Sequence, residues 1–225
     1  MKTLIVVPAH NEEAKIGEVI DDLNRHGFKE ILVVDDGSTD RTGEIAKKKK
    51  AKVLRHIINR GLGAALGTGF EFARNGNYDC LVTFDGDGQH KASDLTRLLT
   101  PIYSGAADVV IGSRLIKPHR LPTGRLLVNY VSNFATLLLY RVWTTDTLSG
   151  LRAFNQLAIG KITLKTDRME VSNEFFMEIH RHKLRLAEIP IRPVYTDYSE
   201  RHSHNIVSLS HTVSVGKGML LRLFR

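Results

Sequence analysis

The fold class is decided by Cys80-Leu81-Val82-Thr83-Phe84-Asp85-Gly86-Asp87-Gly88-Gln89-His90. The first half of this stretch is a continuous apolar run, which is typical of a strand buried on both faces. The run ends in two aspartates, each followed by a glycine, and Asp-Gly sequences favour a turn. The stretch therefore predicts a buried strand that carries acidic side chains to the edge of a sheet.

Similar apolar runs recur along the first half of the chain, with helix-like stretches between them. The predicted strands lie at Leu4–Val7, Ile31–Val34, Lys52–Leu54, Cys80–Phe84 and Val109–Ile111. The predicted helices lie at Glu12–Arg25, from about Asp40 onward, and at Leu62–Arg74. Continuous apolar strands that alternate with helices are typical of an α/β fold with a mostly parallel sheet covered on both faces.

The second half is less regular. Leu126–Tyr140 predicts an apolar helix, and Ile206–Arg225 predicts an amphipathic helix with a basic tip. The segment Leu184–Val194 contains Pro190 and Pro193, which favours an edge strand or an extended segment.

Polar residues directly follow four of the predicted strands. The clusters are Pro8–Glu12, Asp35–Ser38, Asp85–His90 and Gly112–Arg114. In open parallel sheets, ligands bind beyond the carboxyl ends of the strands, because those ends share one edge. We therefore expect the four clusters to form one site.

The acidic cluster suits a divalent cation. A glycine-containing turn allows the carboxylates of Asp85 and Asp87 to converge, and Gln89 offers a third oxygen. Such hard oxygen ligands favour Mg²⁺ or Mn²⁺, with a bound diphosphate completing the coordination. The ion would stabilise the negative charge that develops on a departing diphosphate. Taken alone, the stretch is equally consistent with a plain Asp-Gly turn.

Four motifs in order make the assignment more specific. They are Pro8-Ala9-His10-Asn11-Glu12-Glu13, Val33-Val34-Asp35-Asp36-Gly37-Ser38-Thr39-Asp40-Arg41-Thr42, Asn59-Arg60-Gly61-Leu62-Gly63-Ala64-Ala65 and Asp85-Gly86-Asp87-Gly88-Gln89-His90. Together they resemble the family 2 glycosyltransferases with the GT-A fold, and most closely the polyprenyl-phosphate branch typified by dolichyl-phosphate mannose synthase. The resemblance implies a Rossmann-like sheet flanked by helices, in a single domain over residues 1–225. Its expected parts are a nucleotide-sugar half (about 1–115), an acceptor half (about 116–205) and a C-terminal amphipathic helix (about 206–225).

The resemblance also assigns a donor site. The implied nucleotide-sugar-binding residues are Pro8, Ala9, Glu12, Asp36, Asp85, Arg201 and Ser203. Asp36 would reach the base of a GDP- or UDP-linked sugar. Asp85 and Asp87 would be the signature acidic pair on the metal and nucleotide, with Gln89 as a further metal ligand.

On the acceptor side, the implied partner is a polyprenyl (dolichyl) phosphate. Arg114 and Arg125 resemble the arginines that hold its phosphate, and arginine can donate two parallel hydrogen bonds to such a group. A loop with Arg201 and Ser203 would close over the diphosphate. That loop departs from the family pattern, because His204 stands in place of a lysine and a glycine is missing.

The stretch Asp146-Thr147-Leu148-Ser149-Gly150-Leu151-Arg152 is similar to a family loop that borders the active site. Two roles are open for Arg152 at this point. It is either a residue of the site or a structural ion-pair partner of Asp146.

The favoured reaction is direct displacement at the anomeric carbon, which inverts an α-linked donor to a β-linked product. A phosphate acceptor is already anionic, whereas a hydroxyl acceptor would need a base within hydrogen-bond reach. Glu174 stands where relatives that glycosylate hydroxyls carry an acidic base, so transfer to a glycan or glycolipid hydroxyl is the alternative. The candidate catalytic residues are Asp87, Arg114, Arg125 and Glu174.

Composition indicates the kind of partner and the cellular compartment. The net charge of +8 suits an anionic partner, and the single cysteine, Cys80, indicates a reducing compartment. No run reaches the roughly 20 apolar residues that span a bilayer. The apolar stretch Leu126–Tyr140 and the basic C-terminal tip instead predict peripheral contact with a membrane, on its cytoplasmic face. For Leu126–Tyr140, packing against the sheet is an equally open alternative.

A non-enzymatic alternative is a phosphoacceptor receiver domain or a basic binding module. A pair such as Asp35-Asp36 after a strand occurs in receivers, but a receiver does not explain the second pair, Asp85 and Asp87. The aromatic residues are scattered rather than interleaved with basic ones, so we expect no nucleic-acid partner.

Overall fold

One sheet organises the chain in this computed structural model, which describes residues 1–116, 123–192 and 194, and only the backbone of 123–128. The strands are β1 (Thr3–Ala9), β2 (Ile31–Asp35), β3 (Lys52–Arg55), β4 (Cys80–Thr83), β5 (Val109–Ser113), β6 (Arg152–Asn155) and β7 (Leu186–Pro190). Their order across the sheet is β3-β2-β1-β4-β6-β5-β7. The helices are α1 (Ile16–Arg25), α2 (Thr42–Lys48), α3 (Leu62–Asn75), α4 (Leu95–Tyr103), α5 (Thr123–Tyr140), α6 (Gln156–Lys161) and α7 (Val171–Arg181).

The sheet is mixed because of a single strand. β6 runs antiparallel to both β4 and β5, whereas the other neighbouring strands are parallel. β4 and β5 therefore point the same way, and the carboxyl ends of β1, β2, β4 and β5 share one edge. The predicted α/β class with a mostly parallel sheet is confirmed.

Both faces of the sheet are covered by helices. In β1, Ile5 and Val7 pack in a cluster with residues of α1 and α4, while Leu4 and Val6 pack in a second cluster with residues of α3 and α7. Successive side chains of a strand point to opposite faces, so a strand between two helical layers must be apolar at every position. That requirement explains the continuous apolar runs of the sequence.

One helix begins later than predicted, because the residues before it form a turn. α1 begins at Ile16 rather than at Glu12, because residues 13–15 form a turn in which the Glu12 carbonyl accepts bonds from the N–H groups of Lys15 and Ile16. The edge strand expected within Leu184–Val194 is β7, at one end of the strand order.

The helix expected at Leu126–Tyr140 is α5, which begins earlier, at Thr123. The helix expected at 206–225 lies outside the described residues. Within the described part of the chain, no helix combines the length and the apolar character needed to cross a membrane.

An ion pair between the buried carboxylate of Asp108 and the exposed side chain of Arg185 ties the start of β5 to the start of β7. Asp108 accepts bonds from the Nε of Arg185 at 3.0 Å, its Nη2 at 2.8 Å and its backbone N–H at 2.8 Å. The Asp108 side chain is 5% exposed. The bonds from the Arg185 side chain outweigh the opposing effect of burial and lower the pKa of Asp108 from 3.8 to about 2.

This pair should make stability depend on acid pH. Because the folded pKa of Asp108 is lowered, its contribution is complete above the ordinary value of 3.8 and is lost as the pH falls toward about 2. We expect Asp108→Asn to lower the free energy of unfolding near neutral pH by on the order of 2 kcal/mol, and the gap to the wild type to close near pH 2, in urea titrations.

The matched control is Asp21→Asn, which removes an ion pair to Lys49 whose side chains are 48% and 40% exposed. It should change stability by less than about 1 kcal/mol at any pH. A gap for Asp108→Asn that stayed constant with pH would contradict the assignment.

Candidate active site

The turn after β4 holds the predicted metal pair. Asp87 accepts two bonds from Gln89, one from its backbone N–H at 2.9 Å and one from its side-chain amide at 2.6 Å. Gly88 has a φ of +78°, a conformation that residues with a Cβ rarely adopt. The glycine thus permits the bend that sets Asp87 and Gln89 side by side at the sheet edge.

The two carboxylates have opposite electrostatic environments. Burial acts to raise the pKa of Asp85, but the hydrogen bond with His90 and the charges of Arg114 and Arg152 outweigh it and hold the pKa below 3.8. Burial, followed by the charge of Asp85, raises the pKa of Asp87 above that value. A cation between the two would offset their repulsion, so the pair suits a divalent ion.

His90 lies against Asp85, a position to which the sequence motif assigned no role. The residue is buried, and its ring packs edge-on against Phe84, with ring centroids 5.8 Å apart. Its Nε2 lies 3.0 Å from Oδ2 of Asp85. With the proton assigned to Nε2, the histidine donates to Asp85 and fixes the orientation of its carboxylate.

The described part of the chain offers too few ligands to enclose a metal by itself. Among the described residues, no group of three or more His, Cys, Asp or Glu side chains is placed to hold one. Asp85, Asp87 and the amide oxygen of Gln89 would leave open positions around a six-coordinate ion. Those positions suit diphosphate oxygens and water, as expected for a metal that binds together with a donor.

Asp36 holds together the loops on the predicted nucleoside side. It accepts bonds from the backbone N–H groups of Arg60 at 3.0 Å and Gly61 at 2.6 Å, and lies 2.7 Å from Nδ1 of His56. Its own N–H donates to the carbonyl of Ala9. The predicted contact of Asp36 with a base stays a prediction, since both carboxylate oxygens serve the 56–61 loop.

The loop after β1 lies against the loop after β2. The N–H of Glu12 donates to the Thr42 hydroxyl at 2.8 Å. A Cβ at Gly86 would lie 3.2 Å from the carbonyl oxygen of Pro8, so the acidic turn passes close to β1. Asp35, in contrast, serves its own turn by accepting the N–H of Ser38 at 2.9 Å.

Arg114 reaches the same edge from the end of β5. It donates from Nε and Nη2 to the two oxygens of Asp146, at 2.7 and 2.8 Å, and its backbone N–H donates to Oδ2 at 3.0 Å. The Arg114 side chain is 19% exposed and that of Asp146 is fully buried. This two-bond geometry fixes the plane of the guanidinium.

Arg152 has a structural role, and its hydrogen bonds do not go to Asp146. Its Nε donates to the Ser149 carbonyl at 3.0 Å and its Nη2 to the Thr147 carbonyl at 2.8 Å. Its guanidinium also lies 4.7 Å from the centre of the Phe175 ring. Burial lowers its pKa to about 10, so the side chain stays charged at neutral pH.

The 146–152 loop packs directly on Asp85. A Cβ on Gly150 would lie 2.2 and 2.3 Å from the carboxylate oxygens of Asp85, so only glycine fits at this position without a shift. The Gly150 carbonyl accepts a bond from the Thr83 hydroxyl at 2.6 Å. The loop therefore spaces the end of β4 from the end of β5.

Glu174 lies on α7 with a side chain that holds a loop. It accepts bonds from the N–H of Lys165 at 3.0 Å, the N–H of Thr166 at 2.9 Å and the Thr166 hydroxyl at 2.5 Å. The residue is 1% exposed. These contacts occupy both carboxylate oxygens and give no access to an acceptor hydroxyl, which counts against a role as catalytic base.

Three other predicted site residues cannot be placed in the same way. Arg125 lies in the first part of α5, residues 123–128, of which only the backbone is described, and Arg201 and Ser203 lie outside the described residues.

Comparison with known proteins decides the family. The model of glycosyl transferase family 2 matches residues 4–162. The chain is a family 2 glycosyltransferase. This glycosyltransferase is 45% identical over 209 residues to an uncharacterized protein of Methanocaldococcus jannaschii, covering 91% of this chain and 86% of that protein.

Two relatives have names that state an acceptor. The first is a UDP-N-acetylglucosamine–dolichyl-phosphate N-acetylglucosaminyltransferase of Methanococcus voltae, 33% identical with 90% of each chain covered. The second is an undecaprenyl-phosphate mannosyltransferase of Micrococcus luteus, 31% identical with 89% of this chain and 86% of that protein covered.

Solved structures confirm the GT-A fold. Glucosyl-3-phosphoglycerate synthase from Mycobacterium tuberculosis, in complex with Mn²⁺, uridine diphosphate and phosphoglyceric acid, aligns with a TM-score of 0.75 at 19% identity. The alignment covers 98% of this glycosyltransferase and 78% of that chain.

The close approach of Gly150 to Asp85 has a testable consequence. Gly150→Ala should displace the Asp85 carboxylate, and misplacement by about 1 Å is enough to cost on the order of 100-fold in kcat/KM. The loss should be measured as a lower rate of nucleoside diphosphate release from a nucleotide sugar that the wild-type enzyme uses. The variant should still unfold in a cooperative thermal transition.

Gly160→Ala in α6 is the matched control, because a Cβ there meets nothing within 4 Å. It should leave kcat/KM unchanged and keep or raise Tm. Full activity of Gly150→Ala would show that the loop does not position Asp85.

Proposed function

We propose that this glycosyltransferase moves a sugar from a GDP- or UDP-linked donor to the phosphate of a polyprenyl (dolichyl) phosphate, with inversion. Two relatives at 33% and 31% identity carry names with dolichyl and undecaprenyl phosphate as acceptors. The proposal also has support from the arrangement of the chain's own residues.

The observation that carries the proposal is the 146–152 loop. It places Gly150 against Asp85 and, through Asp146, holds Arg114. An acidic pair suits a metal-bound diphosphate, and an arginine suits a phosphate. This arrangement supports a site that takes the leaving group at the acidic pair and an anionic acceptor beside the Arg114–Asp146 ion pair, spaced by a single loop.

On the donor side, Pro8, Ala9 and Glu12 would border the nucleoside. Asp85, Asp87 and Gln89 would hold Mg²⁺ or Mn²⁺, which, when bound, stabilises the charge of the departing diphosphate. Asp87 has a raised pKa from burial and the neighbouring charge of Asp85, and a cation would favour its ionised form.

On the acceptor side, Arg114 would bind the acceptor phosphate, with Arg125 beside it by sequence assignment. A phosphate oxygen attacks the anomeric carbon from the side opposite the leaving group. The bond from that carbon to the diphosphate oxygen breaks, and the nucleoside diphosphate leaves with the electron pair. An anionic oxygen needs no base for this step, which agrees with the enclosed position of Glu174.

The setting proposed is the cytoplasmic face of a membrane, with the enzyme bound peripherally. A polyprenyl chain is insoluble in water, so its phosphate is presented at a membrane surface. The positive net charge of +8 favours approach to such anionic surfaces.

The metal assignment can be tested with the donor alone. A nucleotide sugar that binds the native state should raise Tm in the presence of Mn²⁺, by mass action. We expect Asp87→Asn to abolish the metal-dependent part of that shift. Turnover should fall by on the order of 100-fold or more, since several kcal/mol of charge stabilisation is lost.

Asp21→Asn, a surface carboxylate in an ion pair with Lys49, is the control and should keep the full shift. An unchanged metal-dependent shift in Asp87→Asn would refute the ligand assignment.

The acceptor can be tested through the product. Incubation of the enzyme with labelled donor and polyprenyl phosphate should give a lipid that is stable to alkali and labile to mild acid, as expected of a glycosyl phosphate. A product resistant to mild acid, or transfer only to a glycan hydroxyl, would contradict the proposed acceptor.

Substitution of Glu174 distinguishes a phosphate acceptor from a hydroxyl acceptor. For a phosphate acceptor, Glu174→Gln should lower Tm, because one oxygen that accepts bonds from the 165–166 loop becomes an amide nitrogen. Its kcat per folded molecule should stay within about threefold of the wild type. A loss of about 100-fold with unchanged Tm is the result expected of a general base, and would favour a hydroxyl acceptor.

A further inference from the structure

Helix α5 exposes an apolar face. Four large side chains share it and are largely open to solvent: Tyr130 (62%), Val131 (59%), Phe134 (67%) and Leu138 (68%). At about 100° per residue, these positions fall on one stripe of the helix.

The opposite face of α5 is polar, and it faces the protein. The residues there are buried: Asn129, Ser132, Asn133 and Thr136. Asn133 donates to the Thr145 carbonyl at 2.6 Å and accepts bonds from the N–H and hydroxyl of Thr147 at 3.0 and 2.7 Å. The helix is thus inverted relative to a helix on a water-exposed surface, whose apolar stripe faces the core.

A basic groove lies at the C-terminal end of α5. Its volume is about 530 Å³, and its lining includes Trp143 together with the cations Arg141, Arg181 and Lys183, and His180. Trp143 is 68% exposed. Arg181 also lies 3.5 Å from Glu178. An exposed tryptophan among cations, next to an apolar helix face, is the composition of segments that lie in the interface of an anionic bilayer.

We infer that the outward face of α5 and Trp143 dock on an anionic membrane, with the helix in the plane of the interface. Exposure of this face to water is unfavourable, because four large apolar side chains on one stripe form a patch of the kind that monomers rarely leave exposed. A second copy of the chain is the alternative occupant, and the oligomeric state of the α5 variants tests it. Anionic lipid headgroups complement the charges of the basic groove.

Docking at this face would also act on the active site. Thr145 and Thr147, which Asn133 holds, flank Asp146, and Asp146 binds Arg114. The helix that touches the lipid therefore directly supports the loop that orients the proposed acceptor arginine. This part of the inference rests on the proposed function, because the docked face of α5 would lie at the membrane surface where a polyprenyl phosphate is presented.

The chain carries its own probe, because Trp143 is the single tryptophan. We expect its emission to shift to shorter wavelength when the wild-type protein is titrated with phosphatidylglycerol-containing vesicles, without donor or polyprenyl phosphate. Pure phosphatidylcholine vesicles should give a much weaker shift. Absence of a shift with anionic vesicles would overturn the inference.

Variants then locate the surface. Leu138→Ser and Phe134→Ser should each raise the lipid concentration at half-binding by about tenfold, since each removes a large apolar group from the interface. Lys183→Glu should raise it through charge. Leu157→Ser is the matched control, because Leu157 is 51% exposed but lies on α6.

The remaining outcomes are equally decisive. Leu138→Ser that binds vesicles like the wild type would overturn the assignment of α5. A large drop in Tm for Leu138→Ser, or a change from dimer to monomer on size-exclusion chromatography, would show that protein rather than lipid covers this face.

Transfer to a short, water-soluble isoprenyl phosphate keeps the two proposals apart. If the α5 variants lose vesicle binding and keep this transfer, both proposals stand. If wild-type protein binds vesicles but transfers nothing to any isoprenyl phosphate, the proposed function fails while the docking surface stands.

Discussion

The site depends on one buried carboxylate. Asp146 has no exposed surface, and it accepts three bonds from Arg114. A buried charge without partners would be very unfavourable, so Arg114 and the 146–152 loop adopt their positions together. Arg152 extends the constraint by bonding two carbonyls of that loop from below. The position of Gly150 against Asp85 is the result, and it links the acceptor side of the site to the metal side.

The charges around this loop nearly balance. Asp85, Asp87 and Asp146 face Arg114 and Arg152, and the pKa directions of Asp85 and Asp87 show that the balance is uneven. The histidine and arginine neighbours of Asp85 lower its pKa, whereas burial and the charge of Asp85 raise the pKa of Asp87. A cation at Asp87 would therefore reduce the repulsion between the two carboxylates.

The sequence was sufficient for the parallel part of the fold, because strands buried on both faces need continuous apolar runs, as in β1, β2 and β4. It was also sufficient to bring Asp85, Asp87 and Arg114 to one edge. It was not sufficient for β6, whose short run begins with the buried Arg152 and has no apolar signature. The role of Glu174 could not be read either, because its partners depend on how the 165–166 loop packs. The inversion of α5 was likewise hidden, since periodicity shows that two faces differ but not which one points inward.

The polar inner face of α5 affects how the helix responds to temperature and solvent. A helix that docks through apolar contacts adds to the heat-capacity change of unfolding and weakens on cooling. α5 docks instead through bonds such as those of Asn133 to the 145–147 segment. Its attachment therefore contributes little to that heat capacity, and a non-polar solvent strengthens such bonds rather than dissolving them.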